Sequence, residues 1–187
     1  MMLKKSLLFV SALLACLSLL GCNRVERKPE KVSSISIGET YAIFGSIKLV
    51  DEKRFVLLEN NADFKTNQEI ENYQRDNYPL DLYPDIYFAE GTYVKVGEDY
   101  RLTTVRAVRV EFKNVKNIQA KVISRIKRNE NSNPNKDYFT LEKKSDYYMV
   151  NAKLPVLTTD QKIPDSIDEF LDQYQYEPEE LERDVQR

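Results

Sequence analysis

The sequence contains no histidine and no tryptophan among its 187 residues, and only two cysteines. Without histidine the chain has no histidine general base, no Ser-His-Asp triad, no Cys-His pair and no His-ligated metal site. Twelve tyrosines and eight phenylalanines supply the large aromatic side chains. The composition therefore excludes histidine-dependent catalysis and histidine-ligated metal sites. We predict no catalytic residue, no metal site and no cofactor.

The first 22 residues have the three zones of an export signal. Residues 1–5 are short and positive, residues 6–20 are uncharged and mostly apolar, and a polar, charged segment begins after Cys22. The 15 residues of the apolar run are fewer than the ~20 that a membrane-spanning helix needs. The pattern predicts a secretory signal peptide over residues 1–21 rather than a permanent transmembrane helix.

The signal ends in Leu19-Leu20-Gly21-Cys22. These four residues resemble the lipobox of bacterial lipoproteins, in which a branched apolar residue, a variable residue and a small residue precede a cysteine. The resemblance implies cleavage between Gly21 and Cys22, a diacylglycerol on the Cys22 thiol, and acylation of the new amino group by a fatty acid such as palmitate. Two or three acyl chains hold a protein stably on a bilayer.

A second stretch, Leu-Leu-Ala-Cys at residues 13–16, also fits the lipobox pattern. Cys22 is favoured over Cys16 because hydrophobicity stops at Cys22. The next residue is Asn23, and in enterobacteria-like lipoproteins an Asp at that place favours the inner membrane. The resemblance thus implies a lipid-anchored protein of the cell envelope, at the outer membrane rather than the inner membrane, with its domain facing the periplasm or the exterior.

Lipidation of Cys22 uses the only cysteine that remains after cleavage, so the mature chain is expected to have no free thiol and no disulfide. Its predicted parts are the lipidated N-terminus and flexible tether at 22–38, a β domain at 39–160, and an acidic helical C-terminal tail at 161–187.

Alternating apolar and polar residues predict strands along most of the β domain. The predicted strands are 41–49, 55–58, 92–96, 102–112, 118–127, 138–142 and 147–150. In the strand at 118–127, we expect residues 118, 120, 122 and 126 to point inward and residues 119, 121, 125 and 127 to point outward.

Two capping boxes predict helices. Thr66 and Glu69 begin a helix over about 67–76, and Ser166 and Glu169 begin one over about 165–176. Residues 78–88 contain the pair Tyr-Pro twice, each closely followed by an aspartate, as Tyr78-Pro79-Leu80-Asp81 and Tyr83-Pro84-Asp85. Because proline disfavours a continuous helix or a central strand, this segment is predicted to be a long loop. Its tyrosines either pack this connection onto the sheet or form an exposed recognition surface.

These elements predict a mainly β protein, a small antiparallel barrel or sandwich with one short inserted helix and a C-terminal helix. The order of strand, hairpin, helix and strand resembles the five-stranded barrels called OB-folds. An open meander covered by the terminal helix is the remaining alternative.

Charge is unevenly distributed along the chain. Residues 101–128 contain nine basic residues and one acid, Glu111, whereas residues 160–187 contain ten acids and three bases. These charges are either solvated faces, or the tail lies across the basic strands, or the basic face meets an anionic surface such as lipid phosphates. The candidate interaction surface consists of Arg106, Arg109, Lys121, Arg125, Lys127, Tyr78, Tyr83 and Tyr87.

We expect a non-enzymatic, membrane-anchored envelope lipoprotein that binds an envelope protein or component. One alternative is an exclusion lipoprotein of a mobile element that blocks a receptor. A second is an enzyme that acts on glycans with carboxylates alone, for which two carboxyls must lie about 5–10 Å apart, with Asp81 and Asp85 as candidates. A third is an OB-like module that binds nucleic acid.

Overall fold

The computed structural model describes residues 28–80, 82–130 and 138–178, except the side chains of residues 130 and 138. Within these ranges the chain forms twelve strands and three helices. The strands are β1 (Thr40–Ala42), β2 (Ser46–Leu49), β3 (Arg54–Asn61), β4 (Asp85–Val96), β5 (Asp99–Glu111), β6 (Val122–Ile123), β7 (Arg125–Glu130), β8 (Tyr138–Lys144), β9 (Tyr147–Val150), β10 (Leu154–Pro155), β11 (Leu157–Thr158) and β12 (Gln175–Tyr176). The helices are α1 (Asn67–Asp76), α2 (Val115–Ala120) and α3 (Ile167–Leu171).

The strands form a nearly closed antiparallel barrel, which confirms the predicted mainly β fold. The order is β10-β9-β8-β5-β4-β3-β2-β1-β11, with β7 paired to β5 off this path. One edge of β5 pairs with two strands: its first half pairs with β8 and its second half pairs with β7. The sheet β3-β4-β5-β7 therefore extends beyond the closed part of the barrel.

The register between β4 and β5 shifts between Glu90 and Gly91, where Val105 of β5 is the extra residue of a bulge, and the barrel gives way to the extension at this point. A Cβ at Gly91 would lie 2.2 Å from the carbonyl oxygen of Thr103 and 2.4 Å from the ring of Phe55. Glycine is required here because a carbonyl oxygen of β5 and an aromatic ring of β3 occupy the space that a side chain would need.

Residues 30–32 connect β9 to the segment at 156–158 by backbone hydrogen bonds, at the place where the barrel closes. We call this place the seam of the barrel. Val32 N donates to the carbonyl oxygen of Val156, and Val32 O accepts from Tyr148 N, both over 2.9 Å. The Val32 side chain is buried in the barrel core. The predicted flexible tether is therefore wrong from residue 30 onward, because Val32 provides both backbone pairing and an apolar side chain.

Two hydrophobic cores stabilise the fold. The first fills the barrel. The second lies between the extended sheet and residues 163–174, which we call the C-terminal segment. In the second core, the rings of Phe88 and Phe170 stack with centroids 4.8 Å apart and planes 11° apart. Phe170 also contacts Tyr174, and burial raises the pKa of Tyr174 to about 12. Residues 163–174 are thus part of the folded core.

The helix predicted at 67–76 is confirmed as α1, and Thr66 caps it by accepting from Glu69 N. The helix predicted at 165–176 is shorter than expected: α3 ends at Leu171, with Ser166 as its N-cap. The chain then leaves the helix, and Gln175 and Tyr176 pair in parallel with β6.

The predicted strand at 118–127 is wrong in its first half, where α2 occupies Val115–Ala120. Asn114 caps this helix by accepting from Asn117 N, and Lys121 ends it in the left-handed region with φ of 55°. The alternation of apolar residues imitated a strand. As a result, Ala120, which was expected to point inward, is exposed.

The predicted loop at 78–88 is also too long, because β4 begins at Asp85, directly after Pro84. Proline fits there because it precedes the first residue of the strand and does not interrupt the ladder of hydrogen bonds. Phe88, predicted to lie in the loop, is fully buried.

Candidate functional site

Four strands present a polar surface on the extended part of the sheet. Side chains alternate between the two faces of a strand, and the apolar set here packs against the C-terminal segment. The opposite face bears two cross-strand rows, Asn61–Asp85–Glu111–Arg125 and Glu59–Tyr87–Arg109–Lys127. We name these eight residues, together with Tyr83 from the preceding loop, the charged face.

Glu111 is the innermost acid of the charged face. It is 4% exposed, and Lys127 Nζ of the neighbouring strand donates to its Oε1 over 2.5 Å. Its Oε2 lies 3.9 Å from Arg125 Nη1 and forms no hydrogen bond with any described residue. A buried carboxylate needs a positive neighbour because burial removes its hydration. Lys127 and Arg125 supply that positive charge.

Asp85 is the second buried acid, at the first residue of β4. Arg109 Nη1 donates to its Oδ2 over 2.9 Å, and Asn61 Nδ2 donates to its Oδ1 over 3.1 Å. Both carboxylate oxygens therefore have a partner from an adjacent strand.

Glu59 is half-buried beside this pair. Desolvation raises the pKa of its carboxyl, the positive charge of Arg109 acts in the opposite direction, and the negative charge of Asp85 raises the pKa further. Glu59 is thus more readily protonated than an exposed glutamate.

Two tyrosines lie against the cations of the charged face. Arg125 Cζ is 4.3 Å from the centroid of the Tyr83 ring, and Arg125 Nη2 donates to the Tyr83 hydroxyl over 3.3 Å. Arg109 Cζ is 5.7 Å from the centroid of Tyr87. Stacking on an aromatic ring restrains a guanidinium group while its edges remain able to form hydrogen bonds.

Five of the eight residues predicted as an interaction surface meet on the charged face: Tyr83, Tyr87, Arg109, Arg125 and Lys127. The other three lie elsewhere. Arg106 is on the opposite face of β5, where its Nε donates to Glu90 over 2.7 Å. Lys121 ends α2 and is not in the sheet. Tyr78 is exposed in the turn after α1.

Sequence analysis named Asp85 and Glu111 but did not pair them with the basic residues of 101–128. On the charged face, Glu59 of β3 and Asp85 of β4 lie beside these cations, and on the opposite face Glu90 of β4 pairs with Arg106. Only the strand register reveals that pairing. The repeated Tyr-Pro pair was the available signal, since its second copy, Tyr83-Pro84, leads directly into Asp85.

The proposal that the acidic tail lies across the basic strands receives a partial correction. In the described part of the tail, Asp165 pairs with Lys48 of β2 rather than with a cation of the charged face. Lys48 Nζ also donates a hydrogen bond to Ile163 O. Residues 179–187 lie outside the described part, as do the signal, Cys16, Cys22 and Asp81.

Among the described residues, no helix has the length and apolar character needed to cross a bilayer. In the same part of the chain, no three side chains of the Cys, Asp or Glu type converge as a ligand set for a metal ion. Comparisons of the chain with protein-family models, with curated proteins and with solved structures find no match.

Proposed function

We propose that the protein is a lipid-anchored lipoprotein of the bacterial cell envelope that binds an envelope protein or component through its charged face. The anchor is proposed from the export signal and the lipobox-like residues that end at Cys22. The binding role is supported by one observation. Cations and tyrosines from the loop before β4 and from β4, β5 and β7 meet on one sheet face, with acids fixed between them.

Such an arrangement suits recognition. Arginine and tyrosine are enriched among the residues that dominate the binding energy of interfaces. Asp85 and Tyr87 restrain Arg109, so its side chain loses less conformational entropy when a partner binds. The absence of histidine and of a free thiol in the predicted mature chain favours a role without catalysis.

The alternatives differ in what the charged face would do. An exclusion lipoprotein would use the same surface against a receptor. A carboxylate enzyme would need a second acid with free access beside Asp85, yet both Asp85 oxygens accept hydrogen bonds from protein groups. An OB-like barrel that binds nucleic acid would use the cations and tyrosines together, but an exported chain seldom meets nucleic acid.

The anchor is tested by labelling cells with an alkyne analogue of palmitate. The wild type and Cys16→Ala should incorporate the label, whereas Cys22→Ala should not. Label that persists in Cys22→Ala and disappears in Cys16→Ala would place the lipid on the other cysteine. Absence of label from all three proteins would contradict lipidation.

The binding role is tested by photo-crosslinking in intact cells, with benzoylphenylalanine in place of Tyr83. The matched control places the same residue at Val94, which is exposed at the far end of β4. We expect a reproducible product with one envelope protein from position 83 and none from position 94. The same products from both positions, or none from either, would contradict the proposal.

A further inference from the structure

On the charged face, the basic side chains are more exposed to solvent than the acids Asp85 and Glu111 with which they pair. The side chains of Arg109, Arg125 and Lys127 are 43%, 36% and 59% exposed, whereas those of Asp85 and Glu111 are 11% and 5% exposed. The acids lie beneath and the cations lie above them. An approaching molecule therefore meets positive charge first, although the three cations and the acids Glu59, Asp85 and Glu111 nearly cancel.

We infer that the partner presents an acidic protein segment, with two carboxylates about 7 Å apart, to these three cations. This inference rests on the proposed binding role of the charged face and names the chemistry of the partner.

The spacing of the cations comes from the sheet. Arg125 and Lys127 are two residues apart on β7, which separates their Cα atoms by about 6.6–6.8 Å. Arg109 lies directly opposite Lys127, a position that brings Cβ atoms to about 4.5–5.5 Å. Alternate residues of an extended peptide have the same spacing of about 6.6–6.8 Å. A segment with acids at alternate positions can therefore place one carboxylate near Arg125 and the other near Lys127 and Arg109.

The arginines also have the required chemistry. A guanidinium group has five N–H donors in a planar fork that matches a carboxylate. Asp85 accepts from Nη1 of Arg109, and the Tyr87 ring lies near the guanidinium carbon. Arg109 is thus restrained before a partner arrives, and a carboxylate can approach it from the exposed side.

A protein segment fits this surface better than a bilayer. Membrane-surface binding combines cations with apolar side chains that enter the interface. Exposed Val94 and Val96 lie near the opposite end of β4, and the described residues of the charged face include no exposed aliphatic side chain. Rigid, paired cations at strand spacing favour carboxylates held at a fixed distance.

The test uses the full-length protein in detergent and a fluorescein-labelled peptide, Thr-Glu-Thr-Glu-Thr, with fluorescence anisotropy as the readout. The same peptide with Gln in place of Glu is the ligand control. We expect the Glu peptide to bind more weakly as salt rises, and Arg109→Ala/Lys127→Ala to weaken its binding about ten-fold or more. Lys53→Ala/Lys153→Ala, which removes two exposed lysines elsewhere, should leave binding unchanged.

Three results would overturn the inference. The first is equal affinity for the Glu and Gln peptides, or no effect of the double substitution. The second is binding to vesicles with anionic phospholipid, lost in Arg109→Ala/Lys127→Ala, without binding of the Glu peptide. The third is peptide binding that appears only when the acids of 179–187 are neutralised (Glu179→Gln, Glu180→Gln, Glu182→Gln and Asp184→Asn), because the tail of the chain itself would then be the ligand.

Failure of this inference is distinguishable from failure of the proposed function. Crosslinks at position 83 together with no affinity for the Glu peptide would retain a binding protein and reject the acidic segment. Absence of both would reject the two proposals together.

Discussion

Arg109 Nη1 lies 2.9 Å from Asp85 Oδ2, so a half-exposed cation of β5 is held by a buried acid of β4. The strand register makes Asp85 and Glu111 direct neighbours and pairs Arg109 with Tyr87, so Arg109 reaches Asp85 diagonally across the two strands. The hydrogen bond between Arg109 and Asp85 therefore both stabilises the extended sheet and fixes the position of a surface cation.

Asp85→Ala should destabilise the protein by about 1–3 kcal/mol, because Arg109 and Asn61 both lose their acceptor. Exposure of Arg109 to water favours the lower part of that range. Urea unfolding measures the change, and Asp146→Ala, at an exposed turn, should change the free energy of unfolding by less than about 0.5 kcal/mol. Equal stability of Asp85→Ala and the wild type would show that the pair does not support the sheet.

Phe170→Ala should destabilise the protein by about 3–5 kcal/mol, because it leaves a cavity beside Phe88 in the second core. Leu154→Ala, at a half-exposed position, should have a much smaller effect. Thermal or urea unfolding of both variants tests the role of the C-terminal segment. A loss of less than about 1 kcal/mol for Phe170→Ala would mean that the segment packs only loosely on the sheet.

The backbone amide of Val32 should exchange slowly with deuterium, because it donates to the carbonyl oxygen of Val156 in the barrel seam. The amide of Glu39, an exposed residue directly after the turn at residues 37–38, provides the comparison and should exchange quickly. Hydrogen exchange followed by NMR distinguishes the two sites. Similar fast exchange at both positions would restore the flexible tether that the sequence predicted.

Glu59→Gln should make the protein more stable at pH 7. Because the folded-state pKa of Glu59 is raised above its ordinary value of 4.5, the folded state binds this proton more tightly than the unfolded state does. The resulting stability is present below pH 4.5 and is lost as the pH rises through the folded-state pKa. Urea unfolding should therefore show a stability gain for the variant at pH 7 that shrinks at pH 4. A wild type that is more stable than the variant at pH 7 would contradict this account.

Local patterns predicted much of the fold. The α1 helix followed from the capping box of Thr66 and Glu69, and the strands from 138 and 147 followed from alternation. Helix α2 was missed because alternating apolar residues at 118–122 agree with a strand, while the decisive signal was the short-range cap formed by Asn114. Propensity in a six-residue helix is weak compared with its tertiary contacts.

The charged face was only half predictable for a different reason. Arg109, Arg125 and Lys127 could be placed on a polar face because each alternates with apolar neighbours. Asp85 and Glu59 could not be paired with them, since the pairing depends on the register between separate strands. Val32 was missed as a seam residue because the few apolar residues of the predicted tether do not continue the alternation of a strand through position 32.

The measurement that tests the central claim most directly is the yield of the crosslinked product from position 83 in cells, with and without the exposed cations. The account predicts that Arg109→Ala/Lys127→Ala reduces this yield by about ten-fold or more, at equal protein level, and that Lys53→Ala/Lys153→Ala leaves it unchanged. An undiminished yield in the first variant would show that the charged face does not bind the partner.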